Sequence, residues 1–381
     1  MSVGERDVKV SDGFRMSGVA LVVVMLYGFL VGVALLEAGI AGLGAGFRDG
    51  LLREVANPLS GLFAGILMTV LVQSSSVSTA TIVGLVGSGT LDLGLAIPMI
   101  MGANIGTTVT NTLASLGSIR RKDEFRRAFT AATMHDFFNL LAVAVLLPLE
   151  LLTGLLSRAA TGLTEILRGS EPVLEPGRSP LRTAVKLPVR LLEDLVAGTG
   201  AADVLAALIL LVAGIGLIFL ALVLITRNMR RLVLNSVERA INRLIGRGGG
   251  SIGIVIGVLV TVAVQSSSIT TSILVPLVAA GLLSVRSAYP VTLGANVGTT
   301  ITALIASLAV TEAAGLTIAL VHTLFNVIAL ALVFPVPAVR YLPVRFAEAF
   351  AGVAVRRPTI VGAYLVGLFL LVPLLGVFLI P

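Results

Sequence analysis

A four-residue polar insertion inside an apolar stretch constrains this chain more than any other feature. Gln73-Ser74-Ser75-Ser76 separates Leu59–Val72 from Val77–Val86, and Gln265-Ser266-Ser267-Ser268 separates Ile252–Val264 from Ile269–Leu283. Each apolar piece has roughly 10–14 residues, too few to cross a bilayer alone, and that length suits one arm of a re-entrant hairpin. Irregular backbone at membrane depth survives only inside protein or beside a water-filled cavity. Two such hairpins therefore require a protein core around them.

A second interruption follows each hairpin. Gly102-Ala103-Asn104-Ile105-Gly106-Thr107-Thr108 breaks the run Leu91–Leu116, and Gly294-Ala295-Asn296-Val297-Gly298-Thr299-Thr300 interrupts Val291–Leu308. Both pairs of motifs stand 192 residues apart, and aligning Val70–Gly117 with Val262–Ala309 needs no gap and matches 24 of 48 positions. His135-x-x-x-Asn139 and His322-x-x-x-Asn326 continue the match at an offset of 187. The chain contains one unit twice.

Composition places that unit in lipid. The chain is 56% hydrophobic and only 12% charged, against about 25% charged residues in a soluble domain. Val19–Leu43, Phe137–Leu156, Val204–Ile225, Leu316–Phe334 and Thr359–Ile380 are about long enough to span. No small-residue cleavage site follows the first run, which reads as an uncleaved helix rather than a signal peptide. The expected division is a polar segment 1–18, a first repeat 19–156 with hairpin 58–88, and a linker 157–202 carrying an amphipathic surface helix. A second repeat 203–335 with hairpin 251–283 follows, then a C-terminal segment 336–381 with a last transmembrane helix.

Charge orients the copies. Arg120-Arg121-Lys122-Asp123-Glu124-Phe125-Arg126-Arg127 precedes the last span of copy one, while the equivalent loop near Thr311-Glu312 has no basic residue. Conversely Arg227, Arg230, Arg231, Arg239, Arg243 and Arg247 precede hairpin 2 as a basic loop, whereas Arg48 and Arg53 are balanced by Asp49 and Glu54 before hairpin 1. By the positive-inside rule, equivalent loops face opposite sides, with both basic loops cytoplasmic and the linker outside. The expected fold is an all-α polytopic membrane protein of two inverted-topology repeats. Each has a re-entrant helical hairpin and a broken transmembrane helix, and a C-terminal helix completes the chain. Inverted repeats with broken helices at the midplane are a recurring secondary-transporter plan.

Several function classes fall away. With no cysteine, thiolate metal sites and cysteine catalysis are excluded, and His135 and His322 are too isolated for a zinc site. The net charge of +7 lies in clusters between apolar runs, a membrane-topology pattern and not a nucleic-acid face. An intramembrane serine hydrolase using Ser74–Ser76 with His135 would need one asymmetric nucleophile–base pair, and here every candidate is duplicated. A passive anion channel could use the same hydroxyls and helix ends, but paired hairpins in inverted repeats favour alternating access. Hydroxyl and amide oxygens can donate to an oxyanion or present oxygen to sodium, helix N-termini attract anions, and the motif glycines let a helix unwind.

Val70-Leu71-Val72-Gln73-Ser74-Ser75-Ser76, its partner Val264-Gln265-Ser266-Ser267-Ser268, and both Gly-Ala-Asn-x-Gly-Thr-Thr segments resemble the type II sodium-dependent phosphate cotransporters. Phe125-Arg126-Arg127-Ala128-Phe129 followed by His135-Asp136-Phe137-Phe138-Asn139 fits the same family. The likeness covers roughly residues 55–150 and 205–330. It implies a multi-pass cell-membrane symporter that imports inorganic phosphate with sodium as coupling ion, without a cofactor or a catalytic residue. It implies phosphate ligands at Gln73, Ser74, Ser75, Ser76, Ser266, Ser267 and Ser268. Sodium oxygens are expected at Gln73, Gln265, Ser266, Asn104, Thr107, Thr108, Thr110, Asn296, Thr299, Thr300 and Thr302. Without the resemblance, a sodium symporter for another oxyanion such as sulfate or arsenate fits these residues as well.

Overall fold

The computed structural model describes residues 12–44, 46–47, 57–169, 180–245 and 250–379. The loop with Arg48, Asp49, Arg53 and Glu54, the first eleven residues, Arg247, Pro172 and Pro176 lie outside them.

Every regular element among the described residues is helical. Copy one comprises α1 (Asp12–Gly42), the hairpin α2 (Pro58–Val72) and α3 (Ser75–Gly87), then α4 (Leu93–Gly106), α5 (Val109–Ser115) and α6 (Lys122–Thr153). Between the copies run α7 (Leu155–Gly169) and α8 (Pro180–Ala197). Copy two comprises α9 (Asp203–Ile245), the hairpin α10 (Ser251–Val264) and α11 (Ser267–Ala279), then α12 (Val285–Ser307) and α13 (Ala313–Val333). The short α14 (Pro337–Arg340), then α15 (Leu342–Arg356), α16 (Thr359–Val366) and α17 (Val372–Leu379) end the chain, with a π-turn at Gly367–Leu371 joining the last two.

Among the described residues, six helical stretches are long and apolar enough to cross a membrane: Ala20–Gly42, Leu93–Ser118, Lys122–Thr153, Asp203–Met229, Ala313–Val333 and Thr359–Leu379. The stretch expected as a span at Val291–Leu308 lies in α12, which has the length but carries Arg286, Thr292, Asn296, Thr299, Thr300 and Thr302. Its middle is packed inside the protein, where polar side chains find protein partners.

The glycines of the repeated motif act differently from the sequence expectation. A Cβ added at Gly65 would come within 2.1 Å of the Met99 carbonyl oxygen, and one at Gly102 within 2.0 Å of the Leu62 carbonyl oxygen. Gly257 and Gly294 repeat the arrangement at 2.1 Å from Val291 O and 2.0 Å from Ile254 O. In each copy the first hairpin arm thus lies backbone against backbone on the helix that follows, the close approach that small residues permit in membranes.

Two further expectations need correction. The Gly-Ala-Asn-x-Gly-Thr-Thr segment interrupts the helix only in copy one, where α4 ends at Gly106 and α5 starts at Val109. In copy two, α12 runs unbroken through Gly294–Thr300. The residues just downstream account for this. Copy one has Asn111 and Thr112, poor helix formers, where copy two has Ala303 and Leu304, which are strong ones. The side chain of Asn111 is moreover drawn onto hairpin 2, accepting from Thr271 Oγ1 at 3.0 Å and Ser272 Oγ at 3.1 Å. The basic stretch Arg227–Arg247, expected as a loop, is helix through Ile245. From Arg227 to Ile245 its basic residues are spaced among Leu232, Val233, Leu234, Val237 and Ile241 with no glycine or proline, so the helix simply continues. Likewise Arg126 and Arg127 lie on the first turns of α6.

Copy-to-copy contacts surround the hairpins. α1 packs along α9, α3 packs on α12 and α13, and α11 packs on α5 and α6. Glu37 Oε1 accepts from the Thr311 amide at 3.2 Å, tying the first helix to the loop before α13. Arg127 donates from Nε and Nη2 to the Ala279 carbonyl, at 2.9 and 2.7 Å, and so caps the far end of hairpin 2.

Candidate functional site

The two hairpin tips are built alike. Gln73 and Gln265 both have φ of 55°, and they are the two non-glycine residues with positive φ among the described residues. This left-handed conformation costs an L-residue about 1–2 kcal/mol. Each glutamine amide folds back onto its own helix, Gln73 Nε2 donating to Val70 O at 2.5 Å and Gln265 Nε2 to Val262 O at 2.7 Å. The next residue caps the second arm. Ser74 Oγ accepts from Val77 N at 3.3 Å, and Ser266 Oγ from Ile269 N at 3.4 Å. A glutamine in the left-handed region followed by a capping serine reverses the chain within two residues.

Beyond the caps the chemistry is left open. Ser75 and Ser267 are the first helical residues of α3 and α11, 7% and 2% exposed. The buried Ser267 Oγ has no hydrogen-bond partner. Ser76 Oγ donates to the Gln265 carbonyl at 3.3 Å, so the tips of the two hairpins touch. Ser268, more open, lies one residue further along α11.

The threonine residues expected to serve sodium fall into two groups. Thr107, Thr108, Thr299 and Thr300, all buried, donate to carbonyls of their own helices at 2.8–3.2 Å, a bond that uses the hydroxyl proton and not the oxygen lone pairs. Thr110 and Thr302 instead donate to the tip glutamines, reaching Gln73 Oε1 at 3.4 Å and Gln265 Oε1 at 3.0 Å.

Between the motifs lies a buried amide network drawn from both copies. Asn296 Nδ2 donates to Asn139 Oδ1 and to Asn326 Oδ1, both at 2.8 Å. Asn139 Nδ2 donates to the Asn104 carbonyl at 2.8 Å, and Asn326 Nδ2 lies 3.5 Å from Asn104 Oδ1. His135 Nε2 is 3.1 Å from Asn296 Oδ1. The structure thus brings the predicted Asn104 and Asn296 together and adds Asn139, Asn326 and His135, which the repeated His-x-x-x-Asn already marked. Asn296 Oδ1 is engaged by His135, so as a sodium ligand it would have to share that lone-pair region.

The model of the Na+/Pi-cotransporter family matches residues 29–167 and 217–334, more than half of the chain. The chain belongs to that family. It is 35% identical to sodium-dependent phosphate transport protein 2A of Ovis aries, over 95% of this chain and 67% of the relative. It is 33% identical to the 2A protein of Rattus norvegicus, with the same coverage. Identity with the 2B protein of Bos taurus is 32%, over 93% of this chain and 64% of that protein. No solved structure matches. Membership in this cotransporter family makes the chain a transporter and not an enzyme.

Proposed function

We propose that this chain is a sodium-coupled symporter of inorganic phosphate, an integral protein of the cell membrane working by alternating access. The observation that carries the reading is the pair of serines, Ser75 and Ser267, at the first turns of two helices whose N-terminal ends meet at the hairpin tips. Helix N-termini favour anions, and a hydroxyl buried without a partner is a donor kept in reserve. The domain division at 19–156 and 203–335 and the inverted topology belong to this proposal, with the basic segments 120–127 and 227–247 on the cytoplasmic side.

Phosphate is held by Ser75, Ser76, Ser267 and Ser268, while Gln73, Ser74 and Ser266 shape the turns. No arginine or lysine lies in either tip or in either Gly-Ala-Asn-x-Gly-Thr-Thr segment. A multiply charged anion in such a place needs compensating charge, since burying an unpaired ion is prohibitive. Sodium supplies that charge as co-substrate, at oxygens of Gln73, Gln265, Asn104, Thr107, Thr108, Thr110, Asn296, Thr299, Thr300 and Thr302. Each substrate then raises the affinity for the other, reciprocally. A tenfold sodium gradient contributes about 1.4 kcal/mol per ion.

The test is uptake of labelled phosphate into proteoliposomes with an inward sodium gradient or with choline in its place. Uptake above the choline level only with sodium is expected. Equal uptake in both media refutes the coupling, and sodium-driven uptake of sulfate in preference to phosphate refutes the substrate.

A further inference from the structure

In the buried amide network the two copies are matched residue for residue, yet they form different bonds. Asn104 corresponds to Asn296, and His135 and Asn139 correspond to His322 and Asn326. Backbone carbonyls can only accept, and two of them fix how the amides are turned. Asn139 Nδ2 donates to Asn104 O at 2.8 Å and Asn326 Nδ2 to His322 O at 3.2 Å, so both side chains present oxygen to Asn296. Asn296 Nδ2 donates to those two oxygens, which leaves its own Oδ1 facing His135. His135 Nε2 is therefore the donor in that bond, at 3.1 Å.

The counterpart bond is missing. Asn104, in the last turn of α4 before the helix break, turns its Nδ2 back to Ile100 O at 3.2 Å. Its Oδ1 receives Asn326 Nδ2 at the long distance of 3.5 Å. His322 is 1% exposed, and neither of its ring nitrogens has a hydrogen-bond partner among the described residues. In any protonation state an imidazole carries at least one N–H, and a buried donor left unpaired costs free energy. An acceptor stands close by. Asn326 Nδ2 contacts both Asn104 Oδ1 and the His322 carbonyl, and α4 packs on α13 as α6 packs on α12.

We propose that His322 is the positioning residue of Asn104, and that the two histidines take their bonds in turn. In a second arrangement the His322 ring donates to Asn104 Oδ1, Asn104 releases Ile100 O, and the His135 bond to Asn296 opens. The proposal rests on the alternating-access reading above and gives it a specific pair of contacts. Each arrangement closes one histidine–asparagine bond and leaves the other histidine alone. The two are thereby kept near in energy, so that a ligand favouring one of them shifts the population. The tie between the copies passes from the unbroken helix α12 to α4, the helix that ends at the break.

The chain has two histidines, so nuclear magnetic resonance of protein carrying isotope-labelled histidine gives one imidazole signal set per site. His135→Gln assigns the two sets, and the ring nitrogen shifts report whether each N–H is hydrogen-bonded. The full chain in proteoliposomes is compared without sodium, with sodium, and with sodium and phosphate. The two histidines should change in opposite senses, one gaining its bond as the other loses it. Signals that stay fixed, or that move in the same sense, overturn the proposal. Phosphate uptake supplies an independent arm. His322→Leu should transport about tenfold more slowly per reconstituted molecule, the loss of one buried hydrogen bond, while His322→Gln, which keeps a donor, retains most of the rate. Equal rates in the two variants overturn the positioning role. If neither variant reconstitutes, the wild-type spectra decide alone. Absence of sodium-driven uptake by the wild-type protein would instead defeat the transport reading itself.

Discussion

Hairpin 1 and hairpin 2 share a local structure to within a few degrees, yet they meet different surroundings. The glutamine dihedrals are 55° and 26° in one and 55° and 29° in the other. Gln73 is nevertheless exposed, whereas Gln265 is buried at 8% exposure, and the glutamine–threonine bond is 3.4 Å in the first and 3.0 Å in the second. Identical tetrapeptides dictate the turn, and packing decides which turn is covered. The difference is confined to the glutamines, since Ser75 and Ser267 are buried in both tips.

The comparison can be broken most severely at the helix pairs that both copies share. Gly102→Val and Gly294→Val should each prevent folding, since even a Cβ collides with a carbonyl oxygen at 2.0 Å, and overpacking costs about 1–3 kcal/mol or more. Fluorescence-detected size-exclusion of both variants checks this. A monodisperse Gly294→Val protein beside an aggregated Gly102→Val protein would show that the copies are not equivalent even in their framework. At the tips, Ser267→Ala and Ser75→Ala should each weaken phosphate binding by about 1.5–3 kcal/mol, roughly tenfold to a hundredfold, with expression intact. Phosphate dependence of uptake measures both, and unchanged affinity in the two variants would reduce the hydroxyls to structural roles. Smaller still, Thr302→Val should raise the half-maximal sodium concentration by about 1 kcal/mol of lost hydrogen bonding, and Thr110→Val by less, because its bond is longer and exposed. Equal effects would mean that the exposed tip closes over its ion during the cycle. The chain has no cysteine, so Gln73→Cys and Gln265→Cys also report directly. Maleimide should modify the first readily and the second only when its side opens.

Much of this was legible from residue order alone. The tetrapeptides mark both turns because a glutamine and a capping serine between short apolar arms leave the backbone few alternatives. The ungapped offset extends to Gly65 and Gly257, so the close helix pairs were present in the sequence as well. Their role was not, since a small residue reads equally as a point of unwinding or of contact until the opposing backbone is known. By charge alone the arginines at 227–247 read as a loop, yet helix propensity carries α9 past its apolar span and into the basic segment as far as Ile245. Asp136 was visible only as part of a familiar pentapeptide. Its carboxyl group accepts from the Tyr364 hydroxyl, 228 residues further on, and no local pattern connects the two.

The glycine contacts carry a consequence for motion. Where two helices lie with carbonyl oxygens against α-carbons, there is no layer of side chains to slide or repack, so each first hairpin arm and the helix behind it travel as one plank. The copies meet at the hairpin tips through a serine hydroxyl on a backbone carbonyl, and deeper through four asparagine amides carried by α4, α6, α12 and α13. Such contacts can be exchanged one for another at little net cost, whereas interlocked apolar side chains cannot. The protein is thus stiff within each of these helix pairs and more yielding along the polar contacts between its two copies.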